Sequence, residues 1–278
     1  METTIYYDQI AHFPISLRTV AICLLVALPT AAVSGYLTGK YRRANLLASG
    51  KPVDQVVGET TLGAVLALLS LLLAFSFGNA LSLAQERKAA LVQEAAAIST
   101  GFLRADYLPE PGRTKLKSAL LEYSETRLLT DQETFRSLEA LQRFMGTSLE
   151  AQSKLWPITL DATSDPVPPP LKTFVAASIN EVLDAHLDRT RTFSNPISHV
   201  TQSMILSLAL ASLFLLGNRA GLVGRELTWR TFVFSGFLFV VLLTISDTMR
   251  AVEGSVTTDT TAMNVTIFEM RLALSGGS

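Results

Sequence analysis

The chain has 278 residues, of which 49% are hydrophobic and only 17% are charged, and its formal net charge is -1. Charged residues are missing from a few long runs instead of being thinned out evenly, which is typical of a polytopic membrane protein. The composition excludes a disordered chain and, because basic and acidic residues balance, a nucleic-acid binder. The single cysteine, Cys23, excludes a disulfide framework.

Four uncharged runs predict helices that cross a bilayer core of about 30 Å. They cover residues 19–39, 60–85, 198–218 and 231–246. The fourth run is short, and residues 227–229 extend it so that Trp229 lies at the level of the lipid headgroups. The first run is longer than the apolar segment of a signal peptide, so we expect it to be retained as a span.

Residues 86–197 have the composition of a soluble helical domain. Good helix formers continue the second span to residue 107, and the proline-containing segment 108–112 ends that helix. We expect three further helices at about residues 113–129, 130–155 and 171–192, the second starting at a capping box of Thr130 and Glu133 and ending before Pro157. The sequence therefore predicts an all-α membrane protein with four transmembrane helices in residues 1–85 and 198–278. An extramembrane helical bundle, residues 86–197, is formed partly by extension of the second and third spans.

The basic residues of the two short loops predict an orientation in the membrane. Loops 40–59 and 218–230 together carry seven basic residues: Lys40, Arg42, Arg43, Lys51, Arg219, Arg225 and Arg230. By the positive-inside rule these loops face the cytoplasm, and the helical bundle faces outward.

The sequence contains no motif typical of an enzyme active site or of a metal site. It has no Gly-rich phosphate loop, His-Glu-x-x-His or Gly-x-Ser-x-Gly motif, and its histidines lack metal-ligand spacing. We therefore expect no enzymatic activity, no cofactor and no metal. The four runs also hold no charged residue, which argues against an ion-coupled transporter.

Several short motifs follow one another in and after the second span: Leu73-Ala74-Phe75, Arg87-Lys88, Glu94-Ala95-Ala96-Ala97 and Arg104-Ala105-Asp106. In this order they resemble the bacterial and plant bestrophin-like domain family, a domain of unknown function. The order of spans and helical domain also matches. Asp247, Arg250 and Gly254 keep the spacing of the family's Asp-x-x-Arg-Pro-x-x-Gly turn, although Ala251 replaces the proline.

A more distant resemblance, mainly over residues 72–88, connects the chain to the bestrophins, which are pentameric anion channels with a hydrophobic neck lined by the second span. The resemblance implies a homo-oligomer, a pentamer, that lies in the lipid bilayer of the bacterial inner membrane and conducts inorganic anions such as chloride. It also implies a cytosolic helical domain, the reverse of the orientation that the loop charges predict. The tail after Arg250 has no counterpart of the acidic calcium clasp, so calcium gating is not implied.

One broad face of the second span supplies the candidate pore lining. A ring of such residues around a symmetry axis makes a constriction that gates by dewetting. Alternatively, the same face packs against other helices, with Ser70, Ser76 and Asn79 as hydrogen-bonding groups between them. The candidate lining residues are Leu68, Leu71, Leu72, Phe75 and Asn79. The candidate pore mouth consists of Glu86, Arg87 and Lys88. In the alternative interpretation, these three residues only anchor the helix at the membrane surface.

Three ion pairs are expected at the end of the fourth span and within the bundle. Asp247 and Arg250 have i,i+3 spacing, which suits a structural ion pair. Glu94 is expected to pair with Arg127 or Arg191, and Arg104 with Glu122 or Asp188.

An oligomeric ion channel built around the second span is the leading functional hypothesis. The alternative is a non-conducting scaffold or envelope-stress sensor whose helical domain binds a partner.

Overall fold

A computed structural model describes residues 16–50, 59–128, 138–164, 166–193, 199–250 and 259–276. Helices account for almost all of these residues, and none of the described residues lies in a β-strand. This arrangement confirms the all-α prediction. The helices are α1 (Leu17–Ala48), α2 (Glu59–Arg104), α3 (Gly112–Thr126), α4 (Leu138–Ala162), α5 (Pro169–Phe193), α6 (His199–Val223), α7 (Trp229–Met249) and α8 (Thr261–Ser275), with a short 3-10 turn, Ala105–Tyr107, after α2.

The first of two compact units contains α1, the part of α2 up to residue 82, α6 and α7. All four helices are long and apolar enough to cross a membrane, in agreement with the four predicted spans. Their shared core is almost purely aliphatic, as expected where lipid covers the outside of the unit. It consists of Leu24, Leu28, Ala32, Leu69, Ile205, Ala209, Leu213, Leu238 and Leu242.

Within this unit, α1 and α6 cross with their backbones in contact. A Cβ atom added at Gly35 would overlap the carbonyl oxygen of Phe214, and one added at Gly217 would overlap that of Ala32. Asn218 Nδ2 donates to the carbonyl oxygen of Gly35 at 3.4 Å across the same crossing. Small residues four apart are the usual means of such a close approach in membranes. Here they are Gly35 and Gly39 on α1, and Gly217 and Gly221 on α6.

The second unit is a helical bundle made of α2 from residue 83 onward, α3, α4, α5 and α8. Its core contains apolar side chains from every one of these segments, and its buried aromatic side chains are Phe102 on α2 and Tyr123 on α3. Fully or almost fully buried members include Leu91, Ile98, Phe102, Leu116, Leu120, Tyr123, Leu155, Val175, Ile179, Val182, Met263 and Ile267.

The continuation of the second span is confirmed, because α2 runs without a break to Arg104 and the chain turns after the 3-10 residues. Pro157, expected to end a helix, instead lies inside α4. Proline in a helix interior costs about 3 kcal/mol. The helix nevertheless continues because Thr159 and Ala162 beyond the proline are buried in the bundle.

One further difference concerns the end of the chain, and two predictions lie outside the described residues. Helix α8 was not predicted, although Met263, Ile267 and Met270 have helical spacing and are buried against the bundle core. The predicted capping box of Thr130 and Glu133 lies outside the described residues. So do residues 194–198, where the third span was expected to extend into the bundle.

Candidate pore helix and a buried charge cluster

The membrane part of α2 has one face packed in its own chain and another that is exposed. Leu62, Leu69, Ser76 and Ala80 form the packed face, at spacings of four and seven residues. Three predicted lining residues are exposed in the single chain: Leu68 by 46%, Leu71 by 53% and Phe75 by 68%. Asn79 is also exposed. These four side chains are therefore free to face lipid, a second copy of the chain or a pore.

Leu72, the fifth predicted lining residue, is partly buried and packs against the core of the transmembrane unit. It lies between the packed and the exposed faces of α2. Ser70 Oγ donates to the carbonyl oxygen of Leu66 at 2.9 Å, so this hydroxyl is satisfied within its own helix. Ser76 is buried on the packed face. The lining role of the predicted set stays a prediction.

The predicted mouth residues point in different directions, because consecutive residues on a helix are about 100° apart. Glu86 is exposed, whereas Arg87 is only 6% exposed. Lys88 is exposed as well, and its Nζ atom lies 3.9 Å from a carboxylate oxygen of Asp259. The structure therefore does not bring the three side chains onto one face.

Asp247 and Arg250 lie at the carboxyl end of α7, and both are buried. The backbone N–H of Arg250 donates to the carbonyl oxygen of Asp247 at 3.0 Å, at the residue where the helix ends. An ion pair between their side chains stays a prediction.

Five polar side chains meet in the interior of the helical bundle and are called the charge cluster below. They come from three helices that the bundle core brings together, and none is more than 4% exposed. Its members are Glu94 on α2, Tyr123 on α3, Arg127 directly after α3, and His186 and Arg189 on α5.

Glu94 is the acceptor at the centre of this cluster. Its Oε1 accepts from the hydroxyl of Tyr123 at 2.6 Å and from Nε of Arg127 at 2.8 Å. Its Oε2 accepts from Nη1 of Arg189 at 2.6 Å, and Nη2 of Arg189 donates to the carbonyl oxygen of Arg127 at 3.2 Å. The predicted pairing of Glu94 with Arg127 is confirmed. The prediction missed Arg189, which shares a helical face with the buried Val182 and could have been found by that spacing.

His186 extends the network, with its Nδ1 atom 2.9 Å from the hydroxyl oxygen of Tyr123. Tyr123 has one hydroxyl hydrogen and donates it to Glu94, so Nδ1 of His186 must carry a hydrogen and donate to Tyr123. Burial, and secondarily the charge of Arg127, lowers the pKa of His186 from 6.5 to about 4. Burial and then the Glu94 carboxylate raise the pKa of Tyr123 well above 10. Both groups are therefore uncharged near neutral pH.

Arg104, at the end of α2, does not pair with Glu122 or Asp188, and that prediction is wrong. Its Nη1 donates to the carbonyl oxygen of Phe174 at 3.2 Å, and its guanidinium lies 4.4 Å from the centre of the Phe174 ring. Glu122 instead accepts from Nζ of Lys154 at 3.0 Å. A cation on an aromatic face needs no carboxylate partner at an exposed site.

Among the described residues, no three His, Cys, Asp or Glu side chains are grouped so that they could hold a metal ion. Each unit thus has its own candidate functional feature: exposed apolar and amide side chains on α2 in the membrane unit, and the hydrogen-bonded charge cluster in the helical bundle.

The fold is that of a multi-pass helical membrane protein with a bundle inserted between its second and third spans. Solved structures with this fold include two variants of a bacterial Bestrophin homolog from Klebsiella pneumoniae, each 15% identical to this chain. One has a TM-score of 0.59 over 91% of this chain and 99% of the homolog, and the other 0.56 over 89% and 98%. A variant of a crystallised membrane protein, 16% identical, has a TM-score of 0.56 over 91% of this chain and 98% of its own. No protein-family model and no curated protein sequence matches the chain. The chain therefore has the bestrophin fold.

Proposed function

We propose that the chain assembles into a homo-oligomer, a pentamer, that conducts anions through a pore lined by the membrane part of α2. The observation that carries this proposal is the row of exposed side chains on α2, from Leu68 through Leu71 and Phe75 to Asn79. Five copies of this row around an axis form rings of apolar side chains followed by a ring of amides. Such apolar rings gate ion flow by dewetting.

The bestrophin fold supports the same assignment, because the bestrophins are pentameric anion channels with a hydrophobic neck on the second span. Leu72 then lies at the edge of the lining, since part of its surface packs in the transmembrane core. Carboxylates that could couple transport to protons or sodium ions are absent from α1, from residues 60–82 of α2 and from α6. In α7 the described carboxylate is Asp247, which lies in the last turn of the helix and not in the middle of the span. A dewetting neck requires no such group.

The first test is imaging of the purified protein together with recording in a planar bilayer. We expect five-fold symmetry with α2 nearest the axis, and currents whose reversal potential follows the chloride gradient. A monomer, or a dimer with α2 away from its axis, contradicts the proposal. Absence of current from a symmetric pentamer favours the non-conducting scaffold instead.

The neck itself is tested by a matched pair of phenylalanines. Phe75 belongs to the predicted lining, whereas Phe77 is also exposed but lies on α2 about 200° further around the helix. We expect Phe75→Ala to widen the neck and raise the current at rest, and Phe77→Ala to leave it unchanged. Equal currents from both variants contradict a neck at Phe75.

A buried leucine provides the stability control for this test. Leu69 is 2% exposed and packs in the transmembrane core. Leu69→Ala should therefore lower the melting temperature, at a cost of about 2–5 kcal/mol, without raising the resting current. Leu71→Ala should instead raise the resting current and leave the melting temperature nearly unchanged.

A further inference from the structure

Arg127 presents two terminal nitrogen atoms that are buried and not hydrogen-bonded. Its Nε donates to Glu94 at 2.8 Å, but Nη1 and Nη2 have no acceptor in the described part of the chain. The side chain as a whole is 1% exposed, so bulk water does not replace the missing acceptors. Buried donors of a charged group are costly when unpaired, and a structure normally supplies a partner.

The positive and negative charges of the cluster also do not balance. Two guanidinium groups, of Arg127 and Arg189, face the single carboxylate of Glu94. Tyr123 and His186 are uncharged, so the cluster has a net charge of +1. Buried charges are normally paired, and one further negative charge would neutralise this group.

One edge of the Arg127 guanidinium has no hydrogen-bond acceptor in the described part of the chain. Glu94 occupies the Nε edge, and the Phe144 ring lies 5.9 Å from Cζ, over one face of the group. The fork between Nη1 and Nη2 is the part of the group that remains without an acceptor among the described residues. Arg189 offers no such fork, because its Nη1 donates to Glu94 and its Nη2 to the carbonyl oxygen of Arg127.

We infer that the fork of Arg127 binds one small monovalent anion inside the helical bundle, and chloride is the probe that tests it. The anion is monovalent because one negative charge neutralises the net charge of the cluster. It is small because both nitrogen atoms that would bind it are buried. Guanidinium donors in a fork are well suited to anions. The bound anion would complete the hydrogen bonds of Arg127 and hold the carboxyl end of α3 against α2 and α5.

The test is thermal unfolding of the purified full-length protein in detergent, with chloride exchanged for gluconate at constant ionic strength. Ligands that bind only the folded state raise the melting temperature, and we expect a rise of at least about 3 °C between about 1 and about 100 mM chloride. Arg127→Gln should abolish this rise. Lys154→Gln removes the same charge from an exposed ion pair and should keep it.

An unchanged melting temperature of the unmodified protein, or a full chloride response in Arg127→Gln, overturns the inference. If Arg127→Gln does not fold, crystals of the unmodified protein grown in bromide test whether an anion binds at Arg127. An anomalous peak within hydrogen-bond distance of Nη1 and Nη2 supports the site, and the absence of a peak there overturns it. Neither measurement depends on conduction, so the inference stands or falls separately from the proposed channel.

Discussion

Replacement of Glu94 by glutamine is expected to be among the most destabilising single changes in the helical bundle. The substitution keeps the size of the side chain but removes the only negative charge of the cluster. The two buried guanidinium groups then lose the carboxylate that lies between them. Removing one partner of a buried ion pair costs about 3–5 kcal/mol. For a protein of this size we expect the melting temperature to fall by about 10 °C.

The assay is thermal unfolding at a fixed heating rate, followed by tryptophan fluorescence, to which Trp156 on α4 contributes from within the bundle. The matched control is Glu122→Gln, because Glu122 pairs with Lys154 at an exposed site. Exposed pairs contribute less than about 1 kcal/mol, so this control should melt within a few degrees of the unmodified protein.

A double variant separates the lost charge from a general loss of packing. Arg189→Gln alone should also destabilise the bundle, because it removes a donor to Glu94. Glu94→Gln combined with Arg189→Gln should cost at least about 1 kcal/mol less than the two separate losses together. Additive losses, or a Glu94→Gln variant as stable as Glu122→Gln, would refute the reasoning.

Three further predictions concern the helix crossing, the response to pH and the orientation. Gly217→Ala, which places a methyl group against a backbone carbonyl oxygen, should cost about 1–3 kcal/mol or more; Gly236→Ala, with open space around it, should cost nothing measurable by thermal unfolding. As pH falls from about 6.5 to 4, the unfolded chain binds a proton that the folded His186 rejects, so about 3 kcal/mol of stability should be lost over this range and none above it. His186→Asn should show a shallower loss, and an equal loss in both proteins contradicts the assignment. A cysteine at Ser164 in a Cys23→Ala background should be labelled from outside intact cells if the loop charges set the orientation, and protection until lysis would instead establish a cytosolic bundle.

The four spans were predictable because a bilayer excludes charge, and the uncharged runs are as long as a bilayer is thick. The continuity of α2 was predictable for a local reason, since nothing between residues 86 and 104 breaks a helix. The pairing of Glu94 with Arg127 followed from a general requirement, because a carboxylate in a helical bundle needs a partner.

Arg191 was predicted as an alternative partner of Glu94, and Arg189 was missed although it shares a helical face with the apolar Val182. These residues lie two positions apart on α5 and face different sides of the helix, so the choice depends on which side packs against α2 and α3. Pro157 also depends on packing, because buried neighbours on both sides of it keep α4 helical. The glycines of α1 and α6 have a recognisable spacing, but no local pattern shows that the two helices contact each other.

The glycine crossing also fixes an order of events during synthesis. The hydrogen bond between Asn218 and Gly35 joins residues that are 183 positions apart. Ribosomes add about 5–20 residues per second, so α1 waits roughly 10–40 s in the membrane before α6 is available. During that interval its glycine face has no partner helix from its own chain. If synthesis stops within residues 86–197, the fragment contains α1 with an unpacked glycine face. We expect such fragments to associate with other membrane helices or to be degraded.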